Sequence, residues 1–327
     1  MMTDNAVLER MLSDADPAPT PRDAPPDARA IATRERILRT GITPKRRRTQ
    51  TVGWVGGLTA IAASTALAFA VFTPQSAAVA GTPSPLEFSG SNTIAQLVDD
   101  AGAALADTPG PTAPMRTVRT ASWGFQVDVD AKTTVVVPQL STLTWEPDGS
   151  GRMVIIAGDP YDPSDAVASN AAEVTSSGEV VTDLVMAQGD FETPWTRVPG
   201  ETHEDMVAML RAFGMPDSPT AFDVEMALAS VLDQWTLTDT QHDVLLHLLE
   251  DAGGGEALGD TTDRLGRPVT GVRVQSPDGA VSDLVLVSRD TGRIVGVERT
   301  VLKADDVFPA GAIISYQMWD LDEETVR

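Results

Sequence analysis

The feature that most constrains this chain is an apolar run of 22 residues without a charge, from Thr51 to Phe72. At about 1.5 Å per residue, a helix of this length spans about 33 Å, which matches the roughly 30 Å hydrocarbon core of a bilayer. Its topology determinants are four basic residues before the run and one tryptophan at its start: Lys45, Arg46, Arg47, Arg48 and Trp54. No basic residue follows until Arg116. The positive-inside rule therefore predicts a single-pass cell-membrane protein with a cytoplasmic N-terminus and an extracytoplasmic C-terminal domain.

A cleaved export signal is the alternative interpretation of the same run. Ala78, Val79 and Ala80 form a small-x-small site shortly after Phe72, which is the pattern of a cleavage site. The 50 residues before the run exceed an ordinary n-region, and the run is longer than the usual apolar region of about 7 to 15 residues. These lengths favour a retained anchor, but the sequence leaves open whether the site is cut.

Charge divides the chain at the apolar run. Residues 1–50 hold 10 Lys/Arg and 7 Asp/Glu, for a formal charge of +3, whereas residues 73–327 hold 14 Lys/Arg and 40 Asp/Glu, for −26. A surface this acidic repels phosphate backbones, so nucleic acid is not a predicted partner. The chain has no cysteine, which excludes structural disulfides, thiol catalysis and cysteine-ligated zinc.

These patterns predict four parts. They are a cytoplasmic, partly helical segment (residues 1–50), a transmembrane helix (51–72), a linker with a short helix (73–114) and an extracytoplasmic α+β domain (115–327). In the first part, the helix predicted between Pro26 and Thr40 has only a thin apolar stripe among its arginines, too little to fold alone. It is either a motif that folds onto a cytoplasmic partner or a tether that rests on anionic lipid.

The outer domain alternates between strand-like and helical patterns. Runs rich in β-branched residues, such as "KTTVVVP" and "GRMVIIAG", precede three amphipathic helices, and further strand-like runs follow them. Ser218 is the predicted cap of the second helix, and Thr238 with Gln241 forms a predicted capping box at the start of the third. Turn signals containing Asp and Gly separate the strands. The order of strands, helices and strands predicts an antiparallel α+β domain with about three helices.

No constellation of residues predicts catalysis, a cofactor or a metal. The three histidines, His203, His242 and His247, lack the HExxH spacing of zinc proteases, and no GxSxG motif is present. A loop carries Asp159, Asp162 and Asp165, but it lacks the EF-hand pattern and is predicted to be solvated. The sequence therefore predicts a protein that is not an enzyme.

Five tryptophans of the outer domain have two interpretations. They are Trp123, Trp145, Trp195, Trp235 and Trp319. Burial in the core is the usual fate of aromatic residues on alternating strands. The alternative is that they line a cavity for a hydrophobic ligand.

Several segments resemble a known family. "RTASWGF", "TWEPDGSGRM" and "DRLGRPVTGVRVQSPDGAVSDLVLVSRDTGRIVGVER", together with the anchor and "DADPAP", resemble an uncharacterised family of single-pass actinobacterial membrane proteins. Members are often encoded beside extracytoplasmic-function sigma factors, so the resemblance implies an anti-sigma-like or accessory role and a cytoplasmic sigma factor as partner. The last of these segments is also similar to the sheet ends of LolA-like half-barrels, which bind lipids or lipoproteins.

Two functions are therefore expected, and both place the lipid bilayer among the partners. The first is a membrane-anchored extracytoplasmic sensor or binding protein with an anti-sigma-like role in signal transduction. The alternative is a surface-anchored carrier of lipid or lipoprotein without a signalling function, in which the inner segment only orients the protein.

Overall fold

The computed structural model describes residues 51–52, 82–128, 133–162, 174–304 and 308–326. The four helices of this part are α1 (Ile94–Asp107), α2 (His203–Ala212), α3 (Ala221–Leu232) and α4 (Asp239–Asp251). The strands are β1 (Thr51–Val52), β2 (Thr117–Asp128), β3 (Thr133–Trp145), β4 (Gly151–Gly158), β5 (Ser176–Met186), β6 (Glu256–Thr262), β7 (Pro268–Gln275), β8 (Val281–Ser288), β9 (Ile294–Val301) and β10 (Ile313–Met318).

The strands form one open antiparallel sheet in the order β5-β4-β3-β2-β10-β9-β8-β7-β6. Two meanders, β2 to β5 and β6 to β10, each pair strands that follow one another in the chain. They meet through two residue pairs, Gln317 with Ser122 and Met318 with Ala121. The first and last strands of the domain therefore meet at the middle of the sheet, and the three helices α2 to α4 connect its two outer edges.

The helices bury one face of the sheet. Capping boxes begin all four described helices, with a threonine at each N-cap, which satisfies backbone N–H groups that the first helical turn leaves unpaired. Their apolar sides pack with the inward residues of both meanders in the largest core cluster, which includes Leu97, Leu143, Trp145, Met209, Leu228, Trp235, Leu245, Val285 and Ile294.

The opposite face carries two smaller clusters. One lies where the meanders meet and includes Ala121, Trp123, Leu140, Tyr316 and Met318. The other lies on β7 to β9, where Leu284, Leu286 and Val295 pack beneath Leu86 and Phe88. Chain that precedes α1 thus covers part of the sheet face that no helix covers.

The predicted antiparallel α+β class and the three central helices are confirmed. The capping box of Thr238 and Gln241 is present, and Gly279 and Gly292 adopt φ values of +64° and +74° in the predicted turns. The prediction of Ser218 as a cap is wrong, because Thr220 accepts the N–H of Asp223 and caps α3. Glycine suits these turns because it has no Cβ to clash at positive φ.

The predicted domain boundary at residue 115 is too late. The short helix predicted in the linker is α1, and it buries Leu97, Val98, Ala101 and Leu105 in the largest core cluster. Since α1 packs against α4, it belongs to the domain.

Most of the predicted inner parts lie outside the described residues. These are residues 1–50, with Lys45, Arg46, Arg47 and Arg48, and residues 53–81, with Trp54 and the Ala78-Val79-Ala80 site. Thr51 and Val52, the first residues of the predicted membrane span, pair as β1 with Gln126 and Phe125 of β2. Within the described part of the chain, no helix has the length and apolarity needed to cross a bilayer. The membrane helix stays a prediction.

Candidate functional site

Residues 84–90, called the strap below, lie across the edge of the sheet at β6. Ser89 and Asp260 exchange two backbone hydrogen bonds of 2.9 and 2.7 Å, and the hydroxyl of Thr261 donates to the carbonyl of Glu87 at 2.7 Å. The ring of Phe88 lies so close to Gly271 that an added Cβ there would be 2.7 Å from it. These contacts fix the strap on the meander that contains β6 to β10.

A buried ion pair holds the start of the strap. The guanidinium of Arg264 donates from Nε to Oε2 of Glu298 at 2.7 Å, and its Nη2 donates to the carbonyl of Ser84 at 2.9 Å. Both charged side chains are almost completely buried. One arginine therefore links β9 to the strap.

Burial and pairing act in opposite directions on these charges. Burial raises the pKa of Glu298, and Arg264 only partly offsets this effect. For Arg264, burial is the largest single effect and acts to lower the pKa, but the charge and hydrogen bond of Glu298 together with Tyr316 and Tyr161 outweigh it, and the pKa is raised. Mutual attraction thus offsets part of the cost of removing both groups from water.

Two tyrosines stand beside this pair. The Cζ atom of Arg264 lies 5.4 Å from the ring centre of Tyr316, and Tyr161 is bridged to Val136 of β3 through two backbone hydrogen bonds of 3.0 Å. Burial raises the pKa of Tyr161 to about 12 and that of Tyr316 well above its ordinary value. Both phenols are therefore neutral at physiological pH.

These four side chains form what we call the outer-face cluster: Tyr161, Arg264, Glu298 and Tyr316. Within it, the hydroxyls of both tyrosines and Oε1 of Glu298 are buried without a hydrogen-bond partner in the described structure. Leaving such a group unpaired costs about 1 to 3 kcal/mol. Neutral phenols and a paired carboxylate cannot supply a nucleophile, but they can exchange hydrogen bonds with a ligand if the strap moves.

A second buried polar group lies under the helices. Glu225 of α3 is next to Asp283 of β8, and Arg299 of β9 donates to both oxygens of Asp283 at 2.8 and 2.6 Å. Burial and the neighbouring charge of Asp283 raise the pKa of Glu225 well above its ordinary value, while Arg299 opposes the shift. This raised pKa favours the neutral form of Glu225. Its hydrogen bond with Asp283 joins α3 to β8 without a second cation.

Two further buried titratable groups lie at the junction of helices and sheet. Asp233 accepts hydrogen bonds of 2.9 Å from Trp319 Nε1 and Gln317 Nε2, and burial raises its pKa to about 7. His242 accepts from the backbone N–H of Ile294 at 3.2 Å, and burial together with the charge of Arg293 lowers its pKa to about 3. Each group is paired within the protein, which is the pattern of a structural role.

An open groove of about 630 Å³ lies between the start of α3 and the end of α4. It is lined by Phe222, the glycines after α4 and three strand residues, Glu256, Arg273 and Gln275. The two charged residues pair with each other at 3.0 Å. The groove brings together no acid, base and nucleophile.

The predicted tryptophans divide between the two faces of the sheet. Trp145, Trp235 and Trp319 are buried in the core beneath the helices, and Trp195 packs against it. Trp145 and Trp235 make an edge-to-face contact of 5.0 Å, with Arg116 within 5.2 Å of both ring centres. Trp123 lies on the opposite face and contacts Tyr316. The tryptophans therefore do not line one common cavity, and the core interpretation is the better one.

The remaining predicted residues do not come together. His203 and His247 are exposed, whereas His242 is buried. Asp159 and Asp162 are exposed on the loop after β4, and Asp165 lies outside the described residues. In the described ranges, no group of three or more His, Cys, Asp or Glu residues is arranged to hold a metal ion.

No sequence motif indicates the outer-face cluster or the buried acids. A usable signal existed for Asp283 and Glu298, because each interrupts an apolar strand, in "VSDLVLVS" and "IVGVERTV". A charge inside such a run is costly unless it is paired. The partners could not be read from the sequence, since Arg264 is 34 residues from Glu298.

Comparison with known proteins yields little similarity. No protein-family description matches the sequence, and no curated protein does. Among solved structures, the crystal structure of a DUF1329 family protein from Desulfovibrio piger aligns with 72% of this chain and 98% of its own, at 8% identity and a TM-score of 0.18. A likeness this weak supports no conclusion about fold or function.

Proposed function

We propose that this chain is a membrane-anchored extracytoplasmic sensor or binding protein with an anti-sigma-like regulatory role. Residues 51–72 cross the membrane once, residues 1–50 engage a cytoplasmic sigma factor, and the α+β domain binds a signal outside. Its open antiparallel sheet with helices on one face is compatible with the proposed half-barrel, and no step of the function requires catalysis.

The observation that supports this proposal is the attachment of the strap. The chain between the proposed membrane span and α1 is built into the domain through Ser84, Ser89 and Phe88. Only residues 73–83 separate the span from the strap. A ligand that engages the outer-face cluster competes for Arg264 and so changes how the strap is held. In this way the outer domain influences the anchor.

Cysteine labelling tests the topology, because the chain has no native cysteine. Ser13→Cys and Ser177→Cys are made separately in the full chain and exposed on intact cells to a membrane-impermeant maleimide. We expect labelling at position 177 only. The pairing of Thr51 with Gln126 makes a competing prediction. If Thr51→Cys and Gln126→Cys cross-link in cells, residue 51 lies on the same side as the sheet and the single-pass topology is wrong.

Co-purification tests the regulatory half. The full chain and a variant lacking residues 1–40 are recovered from membranes, each with the same C-terminal tag, and bound sigma factor is measured. We expect the sigma factor only with the full chain. Absence of any sigma factor from both would reject the anti-sigma-like role and leave the topology untouched.

The second candidate is a carrier of lipid or lipoprotein, and the aliphatic side chains exposed on β5 favour it. The helix-covered face is filled by core residues, so the described structure offers a hydrophobic ligand no space there. Lipid extraction of the purified protein decides between the candidates. Stoichiometric bound acyl chains would support the carrier, and their absence would support the sensor.

A further inference from the structure

The two edge strands of the sheet, β6 and β5, differ in whether other chain covers them. At β6, the strap pairs with the edge through Ser89 and Asp260 and covers Gly259, where an added Cβ would meet the carbonyl of Ser89. At the opposite edge, β5 pairs with β4 on one side, and within the described residues it has no strand on its other side. An uncovered edge leaves backbone N–H and C=O groups available to another chain.

The side chains of β5 are apolar where an ordinary edge strand is polar. Val180, Val181, Leu184 and Val185 are exposed to 54, 49, 39 and 75%. They make up half of the eight large hydrophobic residues exposed in the described part of the chain. Clustered exposed apolar residues on a soluble domain mark an interaction site more often than scattered ones do.

The charge around β5 indicates the kind of partner. Residues 176–192 contain four acids, Glu179, Asp183, Asp190 and Glu192, and no basic residue. Glu179, Asp190 and Glu192 are exposed and, among the described residues, make no ion pair with an arginine, whereas Asp183 pairs with Arg152 at 2.8 Å. The whole outer part has a formal charge of −26. A basic segment is attracted to such an edge, and an acidic one is repelled.

A second copy of the chain fits this edge poorly. Two outer parts of charge −26 would meet, and antiparallel self-pairing centred on Val181, the middle of β5, sets Glu179 opposite Asp183. Like charges directly opposite each other destabilise a strand pair. The register shifts between β4 and β5 further restrict pairing between two long identical strands.

We propose that β5 is a docking edge that takes up an extended, basic segment of a partner polypeptide as an additional strand. Main-chain hydrogen bonds supply much of the affinity, and the four aliphatic side chains select β-branched residues in the segment. This inference rests on the proposed binding function, for which it names the class of partner.

Hydrogen exchange on the full chain in nanodiscs of neutral lipid tests the proposal. The probe is the peptide TKVKVKVKT, and its control is the same peptide with an N-methyl group on every valine and lysine, which cannot donate to a neighbouring strand from either edge. We expect the unmodified probe to slow amide exchange in residues 180–185 by about tenfold or more. The N-methylated probe and the acidic peptide TEVEVEVET should leave the exchange unchanged.

Two variants locate the contact. The double variant Val181→Thr with Val185→Thr keeps β-branched side chains but removes apolar contact. It should lower the affinity for the probe peptide by about fivefold to tenfold. Val198→Thr is the matched control, since Val198 is exposed to 57% outside any strand, and it should bind the probe normally.

Three outcomes would overturn the proposal. They are equal binding of the N-methylated probe, protection of β5 that increases with protein concentration without probe, and protection by the bilayer alone. The second would assign the edge to another copy of the chain, and the third to lipid. Because Ser13→Cys and Ser177→Cys labelling does not depend on β5, failure of the topology is separable from failure of this inference.

Discussion

The strands of the two meanders differ in how deeply their side chains are buried. In β8 and β9, nearly every residue is buried, because helices cover one face and the strap covers part of the other. In β5, only Met186 is buried, and β4 is mostly half-buried. The same antiparallel pairing therefore serves as a core in one meander and as a surface in the other.

This difference separates stability from function. A strand buried on both faces contributes apolar burial that a substitution reduces at once, whereas an exposed strand tolerates change because its side chains touch little. The meander of β6 to β10 thus stabilises the fold, and the outer strands of the other meander are free to contact a partner. The following predictions test this division, beginning with the largest effect.

Arg264→Ala should reduce the free energy of unfolding by about 3 to 5 kcal/mol, because it leaves Glu298 buried without its partner. The control is Arg152→Ala, which removes an exposed pair with Asp183 on the other meander and should cost far less, because water screens exposed charges. Urea unfolding of the full chain, followed by tryptophan fluorescence, measures both. Replacing both partners, as Arg264→Met with Glu298→Leu, should recover most of the loss. Equal losses for Arg264→Ala and Arg152→Ala would contradict the comparison.

Asp233→Asn should change the pH dependence of stability at the junction of the meanders. Burial raises the pKa of Asp233 from its ordinary value of 3.8 to about 7. The stabilisation that protonated Asp233 contributes to the fold is complete below about pH 4 and is lost as the pH rises through about 7. Asparagine keeps an acceptor for Trp319 and Gln317, so relative to the native chain the variant should gain up to about 4 kcal/mol between pH 4 and pH 8.

His242→Asn is the control of opposite sign for that measurement. The pKa of His242 falls from 6.5 to about 3 on burial. The stabilisation that its neutral form contributes to the fold is therefore present above about pH 6.5 and is lost as the pH falls toward 3. The native chain therefore has two opposing contributions between about pH 4 and 6.5. Urea titrations at a series of pH values give the free energy of unfolding as a function of pH. Relative to the native chain, the two variants should change the slope of this curve in opposite directions. Curves parallel to that of the native chain would reject the buried states of both Asp233 and His242.

Val285→Ala should cost about 2 to 3 kcal/mol, because Val285 is completely buried in the core cluster under the helices and its lost methyl groups leave a cavity. The urea midpoint of the full chain should fall with an unchanged slope. A change below about 1 kcal/mol would mean that the core beneath the helices collapses around the cavity.

Val185→Ala should change the free energy of unfolding by less than about 0.5 kcal/mol. Val185 is exposed to 75% on β5, so the same substitution removes few contacts there. The same urea titration provides the measurement. A cost similar to that of Val285→Ala would show that β5 is covered in the protein and would remove the distinction between the meanders.

Local features of the fold could be predicted from the sequence, and distant pairings could not. The capping box at Thr238 and the Asp-Gly turns depend on residues within four positions of one another. The pairing of β10 with β2 joins Met318 to Ala121, and no local pattern specifies which strands of two meanders meet. The burial of α1 was missed for the same reason, since its partner α4 lies more than 100 residues later.

The outer-face cluster illustrates the same limit for the candidate site. Tyr161, Arg264, Glu298 and Tyr316 come from four separate segments, and none belongs to a motif. These side chains become neighbours only when the sheet brings β3, β9 and β10 close together. Sequence identifies a charge that needs a partner, but only the sheet order supplies the partner.

The strap also has a mechanical consequence. Its attachments follow one another along the chain, from Ser84 on Arg264 through Glu87 on Thr261 to Ser89 on Asp260. A force applied to the chain before Ser84 therefore loads one attachment at a time and peels the strap from its N-terminal end. The bond from Arg264 to the carbonyl of Ser84 would break first, so the buried pair of Arg264 and Glu298 would lose its strap contact before the edge of β6 is uncovered.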